Sequence, residues 1–379
     1  METKRMNNYI AFRKELHQHP EISTQEFETQ TRILSFLAGL GVSNAHPIGG
    51  TGVIVKFIGS HPGKTLLLRC DTDALPIQEI NEFEHKSRNA GVSHKCGHDG
   101  HSTIMAAVAS HLVANPISAG KVVLLFQPAE ENGHGAKAVL ADKLFDFEPD
   151  LVFALHNVPS FPLDQVVVKE GAFTPAVKSI IVKLDGKTSH AAEPELGLNP
   201  ALAIAELIQF FAEVSQPDLT RDDFALTTPV YVHMGEKSYG VSAGHGEVHY
   251  TIRTWDSKAM DQIAKASVDA SNEIAAKHGL TATISWTEEF FSNQNDPRAV
   301  DIIRKSASDN DLEILEKEAP FKWGEDFGLF TERYKGAMFG LGAGATHPAL
   351  HNPDYDFPDD LILSGSQMFI RIIENALHV

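Results

Sequence analysis

The chain has 379 residues, more than one ordinary hydrophobic core accommodates, so two domains are expected. Its 50 Asp and Glu against 32 Lys and Arg leave a formal net charge of −18, which repels phosphate backbones and anionic bilayers and argues against nucleic acid and membrane surfaces as partners. No run reaches the roughly 18 apolar residues of a membrane span, Met1–Phe12 lacks the apolar stretch of a secretion signal, and two cysteines are too few for a disulfide framework; a soluble, unprocessed, cytoplasmic chain is expected.

In chain order, residues 7–40 read as two helices parted at His19-Pro20, where proline stops the first. A short apolar strand at 65–69 runs into Asp71 and Asp73. The run His94-Lys-Cys-Gly-His-Asp-Gly-His101 leads into an apolar helix over 102–113. Strand 121–126 leads to Glu130 and Glu131, strand 151–155 to His156, and strand 337–341 through a glycine-rich loop to His347 and His351. Continuous apolar strands separated by helices imply an α/β fold, a mixed and mostly parallel sheet flanked by helices. Ligands in such sheets sit beyond the carboxyl ends of the strands, so residues far apart in sequence would meet there.

Between 176 and 288 the texture differs. Alternating strand 177–184, a helix from Pro200 to Phe211, strands 228–234 and 246–254, a helix over 260–278 and strand 281–286 give the order β-α-β-β-α-β, the split ferredoxin-like α+β pattern. The expected organisation is a discontinuous catalytic, metal-binding domain of residues 1–175 and 289–379, with residues 176–288 inserted as a second domain.

A lone histidine on an apolar face is usually a satisfied core residue. Three histidines, a cysteine and an aspartate within 94–101 read instead as metal chemistry, since imidazole and thiolate are the donors that zinc and its neighbours prefer. Glu130 and Glu131 follow a buried strand and the turn Gln127-Pro-Ala129, and two buried anions side by side require a positive partner. Cys96, His98, Glu131, His156 and His351 exceed the donors of one tetrahedral site and point to two divalent ions, which leaves one carboxylate free to move a proton. His101, His134 and His347 compete for the same role. Asp71 either ligates or accepts a hydrogen bond from a ligand histidine. A Cys70-Cys96 bridge is the alternative to a metal-facing Cys96. Zinc and manganese suit this donor set, and cobalt or nickel also fit it. In the inserted segment His190 is a loop histidine, and Arg253 either pairs with a surface acid or binds a substrate carboxylate through both of its terminal nitrogens.

The chain resembles the aminoacylase and carboxypeptidase G family of metallopeptidases, in the branch of N-acyl-amino-acid amidohydrolases that includes hippurate hydrolases and indole-3-acetyl-amino-acid hydrolases. The resemblance is carried by Leu16-His-Gln-His-Pro-Glu21, Arg69-Cys-Asp-Thr-Asp-Ala-Leu-Pro76, His94 to His101, Phe126-Gln-Pro-Ala-Glu-Glu131, Gly186-Lys-Thr-Ser-His-Ala191, Gly324-Glu-Asp-Phe327 and Leu350-His-Asn-Pro353. It implies hydrolysis of N-acyl amino acids at a pair of ions held by Cys96, His98, Glu131, His156 and His351. It further implies that Glu130 is the general base, that Asp71 supports a ligand, and that His190 polarises the scissile carbonyl from an inserted lid through which the chain forms a homodimer. Arg253 matches the substrate-binding position. One departure stands out: where relatives carry an Asn-Val-Ile-Pro-like stretch that helps to hold substrate, this chain has Gly240-Val-Ser-Ala243. Two other readings of the centre are a dipeptidase or aminopeptidase and a catalytically silent metal-binding homologue; an intact Glu130 and His190 argue against the second.

Overall fold

The computed structural model describes residues 3–377; residues 1, 2, 378 and 379 lie outside them. The chain divides into two compact units: Met1–Phe173 with Asn293–Glu318 and Glu325–Val379, and Thr174–Ser292 with Ala319–Gly324.

The first unit is built on an eight-stranded sheet in the spatial order Ala45–Ile48, Gly52–Ile58, Ala119–Gln127, His61–Asp71, Leu151–Val158, Gly336–Gly342, Val166–Val168 and Ile314–Glu316. Four neighbours in the middle, from Ala119–Gln127 to Gly336–Gly342, are parallel to one another, while the strands at 45–58 join antiparallel. Every residue of Leu151–Val158 and Gly336–Gly342 is buried, as expected where helices cover both faces and no polar alternation is needed. Because the four parallel strands run in one direction, their carboxyl ends deliver the chain to a single edge.

Helix His98–Ala114 packs against the helices Thr3–Gln18 and Leu361–Leu377. It starts at His98, four residues before the apolar stretch begins, so His98 and His101 ride on its first turn instead of a preceding loop. Gly97 makes this possible: its φ is +97°, and a Cβ there would stand 2.3 Å from Asn157 Oδ1. Cys70 and Cys96 are both free thiols, so the disulfide alternative is corrected.

The second unit carries a four-stranded antiparallel sheet in the order Ala225–Met234, His245–Thr254, Ala176–Asp185, Thr281–Phe290. From Gly246 onward, His245–Thr254 alternates buried and half-buried positions. Its buried face packs with helices Ala201–Val214 and Ser257–Lys277 around Leu207, Phe211, Val248, Tyr250 and Ile252. Asp256 caps the second helix, accepting from the Ala259 N–H at 2.7 Å. Strand Ala225–Met234 is an edge of this sheet, and it exposes Val230, Tyr231, Val232 and Met234.

A buried charge network fastens helix Thr3–Gln18 to the start of helix His98–Ala114. Arg13 donates to Asp359 Oδ1 at 2.8 Å and Asp356 Oδ1 at 2.7 Å. His17 places Nδ1 2.8 Å from Asp99 Oδ2 and Nε2 3.0 Å from Glu79 Oε1. His17, Asp99 and Asp356 lie close enough to share an ion, but the Arg13 guanidinium and both nitrogens of His17 already satisfy these oxygens. An imidazole facing two carboxylates donates from both nitrogens only as the cation. Burial pulls the His17 pKa down, yet the bonds to Asp99 and Glu79 hold it at about 9, above the ordinary 6.5. A raised folded value means that its stabilisation is complete below pH 6.5 and is lost as the pH climbs through about 9. His17→Gln should cost about 3–5 kcal/mol near neutral pH, and thermal melts across that window should show a flatter pH dependence in the variant than in the wild type; parallel slopes would remove His17 as the titrating group.

Candidate metal centre

The edge where the parallel strands end gathers most of the residues that sequence singled out in this unit. Asp71 closes strand His61–Asp71, Glu130 and Glu131 follow Ala119–Gln127, His156 lies in the last half of Leu151–Val158, and His351 comes from the loop after Gly336–Gly342. Cys96 and His98 flank Gly97 at the head of their helix. The donor atoms of Cys96, His98 and His156 lie within 4.8 Å of one another, as do those of Cys96, Glu131 and His351 and those of His98, Glu130 and Glu131. The sets overlap at Cys96, His98 and Glu131. His98 Nε2 is 3.8 Å from Glu131 Oε1, His351 Nε2 is 3.6 Å from Glu131 Oε2, and Cys96 Sγ is 3.4 Å from His156 Nε2.

Hydrogen bonds on the far sides of the rings aim the near sides inward. His98 Nδ1 donates to the Asp73 carbonyl at 2.9 Å, with Asp73 Oδ1 at 3.2 Å, and Asp73 is itself held by Ser23 Oγ at 2.7 Å and the Glu131 N–H at 3.0 Å. His156 Nδ1 donates to the Asn157 carbonyl at 2.8 Å. These bonds fix the tautomer that leaves Nε2 bare, the usual arrangement behind a ligand histidine.

The chemistry of the cluster calls for positive charge. His98 Nε2 and Glu131 Oε1 are buried with no hydrogen-bond partner, a pairing of lone pairs that costs about 1–3 kcal/mol per group unless a cation lies between them. On the protein's charges alone, burial lowers the His98 pKa, but Asp71, Asp73 and Glu131 drive it up to about 10. Burial, with Asp73 and Asp71 aiding and His98 opposing, pushes Glu131 up to about 8. Burial, then the Glu131 and Glu130 carboxylates, pushes the Cys96 thiol well up. Divalent ions reverse all three, since they favour thiolate, carboxylate and neutral imidazole. The donor set therefore fits a metal pair.

Glu130 is buried among acids. Burial, then Glu325, Glu131 and Asp326, raises its pKa well above the carboxylate range, with Arg69 opposing. The turn before it is strained: Ala129 sits at φ +51°, its N–H held by Glu26 Oε1 at 2.7 Å. A Cβ on nearby Gly135 would meet the Pro128 carbonyl oxygen at 1.7 Å.

Several residues of the site escaped the sequence reading. Arg69 is fully buried and donates to Asp71 Oδ2 at 2.7 Å, Asp326 Oδ1 at 2.8 Å and Gln127 Oε1 at 3.0 Å, with Glu325 Oε1 at 2.8 Å. A charged residue inside an apolar strand demands a buried acid, and the Glu325-Asp326 pair was the available signal. Asp71 accepts from His101 Nδ1 at 2.7 Å, while His101 Nε2 accepts from the Asn157 N–H at 3.2 Å. Both nitrogens of His101 are thus spent. His347 donates from Nε2 to the Asp356 carbonyl at 2.6 Å, and His134 is exposed ahead of a short helix, so neither joins the cluster. Asp73, rather than Asp71, holds the far nitrogen of His98.

His190 and Arg253 belong to the second unit. His190 lies in the short strand Ser189–His190, paired with Val241–Ser242. Its Nδ1 accepts from the Ala192 N–H at 3.1 Å, so the ring proton resides on Nε2. Arg253 Nη1 is buried without a hydrogen-bond partner, and burial lowers its pKa while Glu288 opposes.

Comparison with known proteins agrees with this picture. The chain is 32% identical over 369 residues to the N-acetyl-L-cysteine deacetylase of Bacillus subtilis, covering 97% of this chain and 88% of that protein. It is 31% identical over 367 residues to the N-acetyldiaminopimelate deacetylase of Bacillus velezensis, covering 94% and 95%. The crystal structure of the YxeP protein of Bacillus subtilis, a dinuclear metal binding peptidase, superposes with a TM-score of 0.85 at 27% identity, over 100% of this chain and 99% of that one. Residues 67–375 match the family profile, and the chain belongs to peptidase family M20/M25/M40.

Proposed function

We propose that the chain hydrolyses the amide bond of N-acyl amino acids, releasing a carboxylic acid and a free amino acid, at a centre of two divalent ions, manganese or zinc. It is an enzyme, an amidohydrolase. The observation that carries the reading is the overlap of donor sets at Cys96 and Glu131 beside a buried carboxylate, Glu130, of raised proton affinity. The two relatives named for removing acetyl groups from N-acetylated amino acids support acetyl as the acyl group.

Cys96, His98, Glu131, His156 and His351 hold the ions, whose charge makes water acidic near neutral pH and polarises the acyl carbonyl. Glu130 accepts the proton of the attacking water and delivers it to the leaving amine. Asp71, anchored by Arg69 and His101, keeps its negative charge against the cluster. His190, with its proton on Nε2, donates to the carbonyl oxygen as charge develops there. The unpaired Nη1 of Arg253 receives the substrate carboxylate. Residues 176–288 act as the lid and as the dimerisation domain of a cytoplasmic homodimer: the apolar edge strand Ala225–Met234 suits antiparallel pairing with a second copy. Among the described residues no helix is long and apolar enough to cross a membrane.

The direct test is amine release from N-acetyl, N-benzoyl and indole-acyl amino acids beside free dipeptides, with apo protein reloaded with Mn²⁺ or Zn²⁺. Acylated substrates should be cut and free dipeptides spared, and cleavage of dipeptides alone would replace this reading with a peptidase. Glu130→Gln should lower kcat by about 10²–10⁴-fold with metal content intact; near-normal turnover in that variant would exclude Glu130 as the base. Arg253→Ala should raise KM for N-acetyl amino acids roughly tenfold or more while leaving the corresponding carboxamides unaffected, and an equal change for both would show that no carboxylate is read there. Val232→Lys should shift a sedimenting dimer to monomer, and an unshifted dimer would move the interface elsewhere.

A further inference from the structure

Of the histidines at the centre, His351 is the least secured. The rings of His98 and His156 are buried and pinned through Nδ1. The His351 ring is half-exposed at 51%, and among the described residues no hydrogen bond holds it. Its direction therefore depends on its backbone, which sits at φ +65°, a left-handed conformation unfavourable for a residue with a Cβ. Something must hold that conformation.

Lys95 does so from both ends of the loop. Its carbonyl accepts the His351 N–H at 2.7 Å. Its side chain, fully buried, crosses to the other end and donates from Nζ to the Tyr355 carbonyl at 2.7 Å and to Glu79 Oε1. Five residues, His351-Asn-Pro-Asp-Tyr355, are thus bracketed by one. Neighbours of Glu79 close the remaining side: the Ile80 N–H donates to the Pro353 carbonyl at 3.2 Å, and Asn81 Nδ2 to the Asp354 carbonyl at 3.1 Å. Tyr355 is buried, with its hydroxyl bonded to Asn157, so the C-terminal end of the bracket is rigid. A lysine ammonium removed from water is costly, and it is retained here with its charge matched to Glu79.

We propose that Lys95 is the positioning residue that holds His351 at the metal centre, and that its ammonium secures one ion of the pair and not the other. The inference rests on the two-ion reading above. His351 shares a donor set with Cys96 and Glu131, whereas Cys96, His98 and His156 form a set without it. Losing the bracket should release His351 to solvent and weaken the first set alone.

The test is calorimetric titration of the full-length apo protein with Mn²⁺. The wild type should take up two equivalents. Lys95→Met should retain one affinity and weaken the other by about 10–100-fold, the range expected when a residue behind a ligand is lost. The decisive comparison is with His351→Ala: if Lys95 acts through His351, the double variant binds Mn²⁺ no more weakly than His351→Ala alone, whereas a general structural role would add to it. Should Lys95→Met fold poorly, Lys95→Met with Glu79→Gln removes both charges and should show the same selective loss. Unchanged affinities in these variants, loss at both ions, or additivity with His351→Ala would overturn the proposal. A wild type that binds fewer than two equivalents would remove the two-ion reading, and this inference with it.

Discussion

Concentrated negative charge in a water-poor place is the constraint on which the first unit depends. Asp71, Asp73, Glu130, Glu131, Glu325 and Asp326 lie around one sheet edge, and burial penalises the charged forms of Asp71, Asp73, Glu130, Glu131 and Asp326. The single charge of Arg69 is shared among Asp71, Glu325 and Asp326. Burial and Glu325 accordingly hold the Asp326 pKa up at about 7 against Arg69. Further positive charge would relieve so many buried acids, and His98 Nε2, buried without a hydrogen-bond partner, lies 3.8 Å from Glu131 Oε1 among them. The same excess of charge gives Glu130 its raised proton affinity, so the feature that costs stability is the one that the proposed chemistry uses.

Such a site has to be held from behind, and its supports form two shells of different chemistry. Nearest the donors are neutral contacts that fix tautomers and loops: the Asp73 and Asn157 carbonyls behind His98 and His156, and the Asn157 side chain against Tyr355. Farther out, Arg13, His17, Glu79, Lys95 and Asp99 alternate in sign, so each buried charge has a counter-charge. Asp99 shows how tightly: although burial opposes it, His17, His94 and Arg13 hold its carboxyl far below the usual range. The outer shell also ties helix Thr3–Gln18 to the head of the helix that carries His98, which couples packing of the N-terminus to geometry at the centre.

What the sequence made legible follows from where information is local. The four central strands were readable because they are buried on both faces and therefore continuous in apolar residues; once parallel order was inferred, the meeting of Glu131, His156 and His351 followed from topology. Missing was whatever depends on side-chain direction. Nothing in the spacing of Asp71 and Asp73 says that the second takes the far nitrogen of His98 and the first that of His101. The first turn of helix His98–Ala114 is polar, so periodicity placed its start at Ser102. The sequence reading assigned no role to Arg69 or Lys95, whose partners Asp326 and Glu79 are brought to them only by the fold.

Gly240 raises the question of selectivity in the second unit. It lies beside His190, its carbonyl accepting the Ala191 N–H at 3.0 Å. Gly97 and Gly135 are required by conformation or crowding, but a Cβ on Gly240 would meet nothing within 4 Å, and its φ is not left-handed. The backbone does not demand glycine there, so the consequence of the residue is the space it leaves and the polar group it omits. A side chain at this position could have donated a hydrogen bond next to His190. Without it, the proposed recognition of the amino-acid half of the substrate falls on charge at Arg253, whose Nη1 has no hydrogen-bond partner. On that proposal a guanidinium would fix that a carboxylate is present and say little about what side chain accompanies it; discrimination among N-acyl amino acids would then come from the shape of the acyl and side-chain pockets, where a methylene is worth only about 1–3 kcal/mol. The physical expectation is an enzyme strict about the free carboxylate and permissive about the residue that bears it.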